Sequence, residues 1–318
     1  MSETVVETVN LVHYEQCNYM GRLHGGDMLK MLIDTGMLSS IKVAKGPVVL
    51  ASLDNVVFKK PIYLGDVIRI VSQVDYIGNS SMEVEMKAFR GDEPIVTATG
   101  VYVKVDDNVR PLAVGEKIIP VKDEERLIVE EARKRRELRL KKLKESVPLE
   151  DPTEKLTVKL HNVIYVTPEM TYDGRLISAG KIVKLMDDLG GMLGLSLINY
   201  KGFKDGSDTV VTVSVSDTAF LSPIKLGDVV EMTAGLSYVG KTSIEVLITV
   251  KTRNPKDGTS RIVTTAFFNY VRIGGDGRPK EFPPYYPKNE YEKKMFESAL
   301  ARRHRGSPYV ISEKERGQ

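Results

Sequence analysis

The feature that most constrains this chain is an internal repeat as long as a whole domain. Residues 48–84 align with residues 210–246 at a constant offset of 162, and 15 of the 37 aligned positions are identical. Solenoid repeats are shorter, with periods of roughly 20–50 residues. The sequence therefore predicts two copies of one domain in tandem.

The upstream parts of the two copies match at a slightly smaller offset. Gly21-Arg22-Leu23 pairs with Gly174-Arg175-Leu176 at an offset of 153, whereas Lys30 pairs with Lys184 at an offset of 154. We therefore expect one inserted residue between these two matches. The remaining difference of eight residues is expected in Asn199–Ser207, whose Lys, Gly and Asp residues are typical of a longer loop.

The repeat divides the 318 residues into four segments. The prediction is a first domain over 1–112, a joint over 113–152, a second domain over 153–288 and a tail over 289–318. Residues 123–145 of the joint are rich in helix formers and are followed by Pro148 and Pro152, and residues 289–305 of the tail show the same theme. We expect a helix after each domain.

The helix in the joint carries charges of both signs. Residues 122–145 contain ten Lys or Arg and seven Asp or Glu. Acidic residues interspersed among the basic ones repel phosphate, so this pattern favours an exposed helix over a nucleic-acid-binding surface.

Within each copy, the hydrophobic pattern predicts a strand, a buried helix and then four strands. The long apolar run Asp27–Val43 predicts the helix, and the alternation in MEVEMKAF and VYVKV predicts antiparallel strands with one covered face. The expected strands are 5–12, 48–58, 67–77, 80–90 and 95–105, with 156–166 opening the second copy. One long helix against an antiparallel sheet is an α+β architecture.

Composition excludes several other classes of protein. Hydrophobic residues make up 42% and charged residues 28%, as in ordinary soluble proteins. The net charge of +3 is too small to indicate a nucleic-acid partner. The single Cys17 and four scattered histidines predict no disulfide and no metal site. The N-terminus lacks a secretory signal, and no apolar run is long enough to span a membrane, so we expect a cytoplasmic protein without a membrane partner.

The string NYMGRLHGGDMLKML, followed by PIYLGD and YIGNSSMEVE, resembles the hot dog fold acyl-CoA thioesterases, and in particular the branch with two hot dog units in one chain. The resemblance covers residues 1–112 and 155–275. It implies two hot dog domains in tandem, each an antiparallel sheet wrapped around a long central helix. It also implies acyl-CoA as substrate, no cofactor, and assembly as a homo-oligomer, such as a trimer of double units.

In that family the active site lies between two units, and the two copies have diverged in complementary ways. One unit of the family supplies an Asn and a glycine-rich helix start, and the other supplies an acidic residue three positions after a helix lysine. The first copy has the Asn and the glycines but has Ile33 at the acid position, whereas the second copy has Asp187 there. In the second copy, Thr171 aligns with the Asn and Ile177-Ser178-Ala179 aligns with His-Gly-Gly.

The resemblance therefore implies one composite active site and one inert counterpart. The counterpart would contain Thr171, Ile33 and Leu50. The expected catalytic residues of the composite site are Asn18, Gly25 and Asp187, and the expected lining residues are His24, Gly26 and Thr212.

Two similar turns are the expected contacts for the coenzyme A portion of the substrate. Tyr238–Ser243 and Tyr76–Ser81 look like the turn and strand that bind pantetheine and phosphates in the family. Lys241 is the better phosphate candidate, because Asn79 replaces it in the first copy, although a simple turn lysine is an alternative interpretation. The substrate-binding residues predicted here are Lys241, Thr242, Ser243, Ser80 and Ser81.

The residue types suit thioester hydrolysis. A backbone N–H at the start of a buried helix is unpaired and lies at the positive end of the helix dipole, so the Gly25 N–H can stabilise an oxyanion. The Asn18 amide can donate to the same carbonyl or orient a water molecule. Asp187 lies on an apolar helix, so burial is expected to raise its pKa toward that of a useful base; a solvent-facing carboxylate is the alternative.

The sequence thus predicts an acyl-CoA thioester hydrolase that releases a free fatty acid and coenzyme A. A non-catalytic acyl-CoA sensor or carrier on the same fold is the alternative. Dehydratase chemistry on a hot dog fold is disfavoured, because no Asp/His pair stands at the required helix start.

Overall fold

A computed structural model describes residues 4–145, 150–199, 207–216 and 218–304 of the chain. Within them, eleven antiparallel strands form one continuous sheet in the order β1-β3-β4-β5-β2-β7-β11-β10-β9-β6, with β8 pairing both β2 and β11. The strands are β1 (Val6–Leu11), β2 (Val48–Phe58), β3 (Val67–Ile77), β4 (Ser81–Arg90), β5 (Glu93–Lys104), β6 (Lys159–Tyr165), β7 (Thr209–Val215), β8 (Thr218–Phe220), β9 (Val229–Val239), β10 (Ser243–Arg253) and β11 (Ser260–Ile273).

The two apolar runs form the central helices, α1 (Gly25–Ala44) and α3 (Ala179–Leu197). Most apolar side chains of both helices are buried, and α1 ends where Lys45 adopts a left-handed conformation. Each copy is therefore an antiparallel sheet around a long helix, and the predicted tandem hot dog, α+β architecture is confirmed.

The two copies meet along both the sheet and the helices. Strand β2 pairs with β7 and β8, which joins the two halves into one sheet. The helices α1 and α3 cross closely at their first turns. A Cβ atom added to Gly26 would lie 3.0 Å from the Lys184 Cα atom, and one added to Gly180 would lie 3.1 Å from the Lys30 Cα atom. Glycine at these two positions therefore permits the close approach of the helices.

The backbone corrects the alignment of the upstream segments. The bridges Cys17–Leu23 and Thr171–Ile177 share an offset of 154, so no residue is inserted between Leu23 and Lys30. His24 and Ser178 are the equivalent residues that precede the helices.

The correction changes which residues are equivalent at the site. Gly25 corresponds to Ala179 and Gly26 to Gly180, and Tyr172 rather than Thr171 stands at the backbone position of Asn18. The identical Gly-Arg-Leu strings gave the wrong register. Each loop has a glycine with positive φ, but Gly21 and Gly174 differ by 153 residues, one fewer than the backbone offset of 154.

Helix α2 (Asp123–Glu145) in the joint is not simply exposed, which corrects the sequence-based expectation. Ala132 is fully buried, and Arg135 and Arg139 bind the buried Glu83 of β4. Side chains alternate between faces along a strand, and the neighbouring Val84 packs in the core, so α2 covers the sheet face opposite α1.

Helix α4 (Glu290–His304) repeats this arrangement in the second copy. Ala299 is fully buried, and Arg302 binds the buried Glu245 of β10. The pairs Ala132/Ala299 and Arg135/Arg302 share an offset of 167, so the duplicated unit includes its trailing helix. The predicted loop at Asn199–Ser207 falls largely on residues 200–206, which lie outside the described residues.

Candidate active site

Asp187 lies at the contact between the two copies, in the third turn of α3. Its side chain is buried, with 3% of the residue surface exposed, so the solvent-facing alternative is wrong. The Gly26 N–H donates to Oδ2 of Asp187 at 2.6 Å, and the Thr212 hydroxyl donates to Oδ1 at 2.6 Å. The structure thus brings residues of the first copy and the second copy to one carboxylate.

Burial raises the pKa of Asp187 from its ordinary value of 3.8 to about 6. Desolvation is the largest cause, and the neighbouring Asp188 raises the pKa further, whereas the bonds from Thr212 and Gly26 lower it. A base whose pKa lies just below neutral pH is mostly ionised and still accepts a proton readily. The site therefore holds a carboxylate suited to general-base or nucleophilic chemistry near pH 7.

The helix that carries Asp187 is fixed from two sides. The Tyr270 hydroxyl donates to the backbone carbonyl of Asp187 at 3.0 Å, and the ring packs against Gly190, where a Cβ atom would lie 2.3 Å from the hydroxyl oxygen. Lys184 Nζ forms ion pairs with Asp27 of α1 at 2.9 Å and with Asp188 at 3.3 Å. These contacts fix α3 against α1 and against the sheet.

Gly25 opens α1 directly over Thr212. A Cβ atom at Gly25 would lie 2.5 Å from the Thr212 Cβ and Oγ1 atoms and 3.2 Å from Oδ2 of Asp187. The Gly25 N–H forms no hydrogen bond within the described residues, whereas the Gly26 N–H is occupied by Asp187. Gly25 therefore offers a free donor at the positive end of the α1 dipole.

Asn18 lies in the loop that leads into α1. Its Oδ1 atom accepts hydrogen bonds from the Met20 N–H at 3.0 Å and the Arg22 N–H at 3.1 Å. Two backbone donors identify this atom as the oxygen, which leaves the amide NH₂ as the free end of the side chain. His24 is the exposed residue that precedes α1, and its side chain does not cap the helix.

The counterpart that the sequence predicts to be inert differs at the four positions that carry the functional groups. Ile33 and Leu50 stand at the positions of Asp187 and Thr212, and both are buried. Tyr172 stands at the backbone position of Asn18 and donates its hydroxyl to the Val48 carbonyl oxygen at 3.1 Å. Ala179 replaces Gly25. This half offers no carboxylate at the acid position and no free amide at the Asn18 position.

The second copy's predicted coenzyme A turn is held by α4. Ser243 accepts a hydrogen bond from Arg303 at 3.0 Å, and the Arg303 guanidinium lies 4.4 Å from the Tyr238 ring centre. Thr242 accepts a hydrogen bond at its carbonyl from the Arg272 N–H. Lys241 is 72% exposed and pairs with Glu281 at 3.3 Å, and no hydrogen bond within the described residues joins this turn to Asp187.

The first copy's turn carries a cation that the sequence reasoning missed. Arg136 of α2 corresponds to Arg303 of α4, and it lines a surface cavity of about 410 Å³ together with Gly78, Asn79 and Lys117. Arg136 forms no hydrogen bond or ion pair with the described residues. Ser80 and Ser81 form the adjacent end of this turn, and the Ser80 and Ser81 carbonyl oxygens accept from the Lys104 and Gly78 N–H groups. The repeated Ala-x-x-Arg-Arg string at 132–136 and 299–303 was the signal that could have identified it.

Metal and membrane features can be assessed only for the described part of the chain. There, no group of three or more His, Cys, Asp or Glu side chains is placed to hold a metal ion. None of the helices in that part combines the length and the apolar character that crossing a membrane requires.

Comparison with known proteins identifies the family of this two-copy site. The sequence model of the thioesterase superfamily matches the chain twice, over residues 20–97 and 175–259. The chain belongs to the thioesterase superfamily. Both matches include the start of a copy's central helix, so each copy contributes one superfamily domain to the site.

Two curated relatives match this chain over nearly its whole length. The chain is 24% identical to the cytosolic acyl coenzyme A thioester hydrolase of Rattus norvegicus, covering 91% of this chain and 79% of that protein. It is 25% identical to the acetyl-coenzyme A thioesterase of Rattus norvegicus over 93% of this chain and 56% of that protein. The crystal structure of an acyl-ACP thioesterase from Bacteroides thetaiotaomicron superposes with a TM-score of 0.54 at 10% identity, covering 85% of this chain and 98% of that one, which supports the fold.

Proposed function

We propose that this thioesterase hydrolyses fatty acyl-CoA to a free fatty acid and coenzyme A at one composite site per chain. The observation that carries the proposal is the buried Asp187 carboxylate, held by Gly26 of the other copy and by Thr212. The acyl-CoA substrate is supported by the two rat relatives, which are an acyl coenzyme A thioester hydrolase and an acetyl-coenzyme A thioesterase.

Each residue of the site has a proposed role in hydrolysis. The free N–H of Gly25 and the free NH₂ of Asn18 donate to the thioester oxygen and stabilise the negative charge that develops there. The ionised Asp187 either attacks the carbonyl carbon or removes a proton from the attacking water. If Asp187 attacks, the C–S bond breaks, coenzyme A leaves as a thiolate that takes up a proton, and water then hydrolyses the acyl-Asp187 anhydride to the free acid. If Asp187 acts as a base, the water oxygen bonds to the carbonyl carbon, the C–S bond breaks, and the proton taken from water passes to the departing sulfur. No metal or other cofactor takes part, and the His24 side chain lines the entrance.

The charged end of coenzyme A requires cations outside the buried site. Arg136 and Lys117 beside the Ser80-Ser81 turn, and Lys241 beside Thr242 and Ser243, are the candidates to bind its phosphates. Arg136, which lies in an open cavity and pairs with none of the described residues, is the stronger candidate, because Lys241 already pairs with Glu281.

We further propose a cytoplasmic location and assembly as a homo-oligomer, such as a trimer of two-domain chains. The location is supported by the similarity to the cytosolic acyl coenzyme A thioester hydrolase of Rattus norvegicus. Size-exclusion chromatography with light scattering tests the assembly: a monomeric mass would contradict it.

Thiol release from acyl-CoAs, from acetyl to octadecanoyl, tests the proposed activity directly. Wild-type protein should release coenzyme A from at least one chain length, whereas Asp187→Asn and Asn18→Ala should each lower kcat by at least about 100-fold. Asn18→Ala removes an oxyanion donor, which typically costs roughly 100–1,000-fold, and Asp187→Asn removes the base or nucleophile, which contributes roughly 100–10,000-fold as a general base. If acyl-CoA binds but no thiol is released at any chain length, the sensor or carrier alternative is correct instead.

A further inference from the structure

A cavity of about 200 Å³ lies between the two copies at the inert counterpart of the active site. Its wall includes Ile33 and Leu50, which occupy the positions of Asp187 and Thr212, and it includes Ala179 at the position of Gly25. The duplication has therefore left open space where the counterpart of the reacting group would lie.

The cavity is apolar, and the polar groups on its wall already have partners. Asp34 pairs with Lys30 at 2.5 Å and accepts a hydrogen bond from Ser178 at 3.2 Å. The Tyr172 hydroxyl is used by the Val48 carbonyl oxygen. The rest of the wall is mainly hydrocarbon, including Met37, Leu176, Ile182, Phe220, Leu221 and Ile224. Apolar cavities of about 150 Å³ remain dry and bind apolar guests.

A strained residue closes one side of this cavity. Val109 adopts φ +63°, a left-handed conformation that is rare for a β-branched residue. The equivalent residue in the second copy is Gly277, with φ +78°, for which this conformation is unstrained. The first copy thus places an isopropyl group on the wall at a conformational cost, and such strain concentrates where the side chain has a function.

We propose that this cavity binds the chain of a second fatty acyl group without hydrolysing it. The inference rests on the proposed function, because a duplicated acyl-CoA site is the reason for expecting an acyl chain here. Replacing the polar pair by Ile33 and Leu50 removes the chemistry and makes the space hydrophobic.

Binding stoichiometry with a non-hydrolysable probe tests the proposal. Isothermal titration of the full chain with S-dodecyl-coenzyme A, a thioether, should give two equivalents per chain. Val49→Trp places a large side chain in the wall and should reduce binding to one equivalent. In Val109→Gly the left-handed backbone is unstrained, and an apolar side chain is removed from the cavity wall. The affinity for the second equivalent should therefore fall by up to roughly tenfold. Both variants should keep the wild-type kcat.

The source of the acyl chain is distinguished by competition with dodecanoate. If dodecanoate displaces the second equivalent of S-dodecyl-coenzyme A, the site also binds free fatty acid. If dodecanoate displaces neither equivalent, the site binds acyl-CoA. Either result supports an acyl site. One equivalent in wild type, or two equivalents of unchanged affinity in Val109→Gly, would overturn the inference even if Val49→Trp does not fold. Thiol release from dodecanoyl-CoA is measured in parallel, so a wild-type protein that hydrolyses but binds one equivalent refutes only the second site. A protein that binds two equivalents and releases no thiol refutes the proposed hydrolysis.

Discussion

Thr212→Val should move the pH dependence of the enzyme while leaving its fold intact. The Thr212 hydroxyl donates a 2.6 Å hydrogen bond to Asp187, and this bond lowers the pKa of the carboxyl by stabilising its ionised form. Hydrogen bonds to charged groups contribute about 1.5–3 kcal/mol, and one pKa unit corresponds to about 1.36 kcal/mol. Losing the bond should therefore raise the pKa of Asp187 from about 6 to roughly 7–8.

The sign of the effect follows from the proposed role of Asp187, which must be ionised to act either as a nucleophile or as a base. Ionised Asp187 is the active form, so activity is lost as pH falls through its pKa. In Thr212→Val the acidic limb of the kcat/KM profile should move upward, with up to about tenfold less activity at pH 7 and recovery at high pH. The assay is thiol release across pH 5–10. Thr249→Val is the control, because the buried Thr249 hydroxyl has no hydrogen bond in the described structure. An acidic limb that does not move in Thr212→Val would refute this reasoning.

Three further predictions follow from single contacts, and two of them have a matched control in the other copy. Gly25→Ala should lower kcat by at least about tenfold, because the added Cβ atom would collide with the Thr212 side chain. The matched variant Ala179→Gly should leave kcat unchanged. Equal effects of the two variants on kcat would contradict the asymmetry of the two halves. Tyr270→Phe and Tyr102→Phe each remove a hydrogen bond to a helix carbonyl and should cost about 1 kcal/mol of unfolding free energy in thermal melts, but only Tyr270→Phe should also lower kcat. Arg136→Ala should raise KM for acyl-CoA by about tenfold at unchanged kcat, and an unchanged KM would remove the residue from the phosphate site.

Much of the architecture could be predicted because the residue pattern encodes it locally. The alternating strands placed β2 and β3 at their observed bounds, and the apolar run placed α1 within two residues at its start and one at its end. The resemblance to the thioesterase family, carried onto the two diverged copies, located Asp187 and Thr212 in one copy and Gly26 in the other. The structure brings these three residues together at the Asp187 carboxylate.

What the sequence missed depends on backbone conformation and on distant packing. The register near Asn18 is set by two turns that place Gly21 and Gly174 differently, and residue identity does not show this. The docking of α2 depends on Glu83. From the sequence, this charged strand residue is expected to face solvent, but in the structure Arg135 of α2 pairs with it. The cavity behind Ile33 depends on the packing of many side chains from both copies.

The central claim is that each chain has one active site, built from both copies. The most direct measurement compares kcat in Asp187→Asn and in Asp34→Asn, which changes the carboxylate nearest the acid position of the inert half. The composite site predicts a loss of at least about 100-fold in Asp187→Asn and a kcat close to wild type in Asp34→Asn. A loss of about half the activity in each variant would show two working sites and contradict the account.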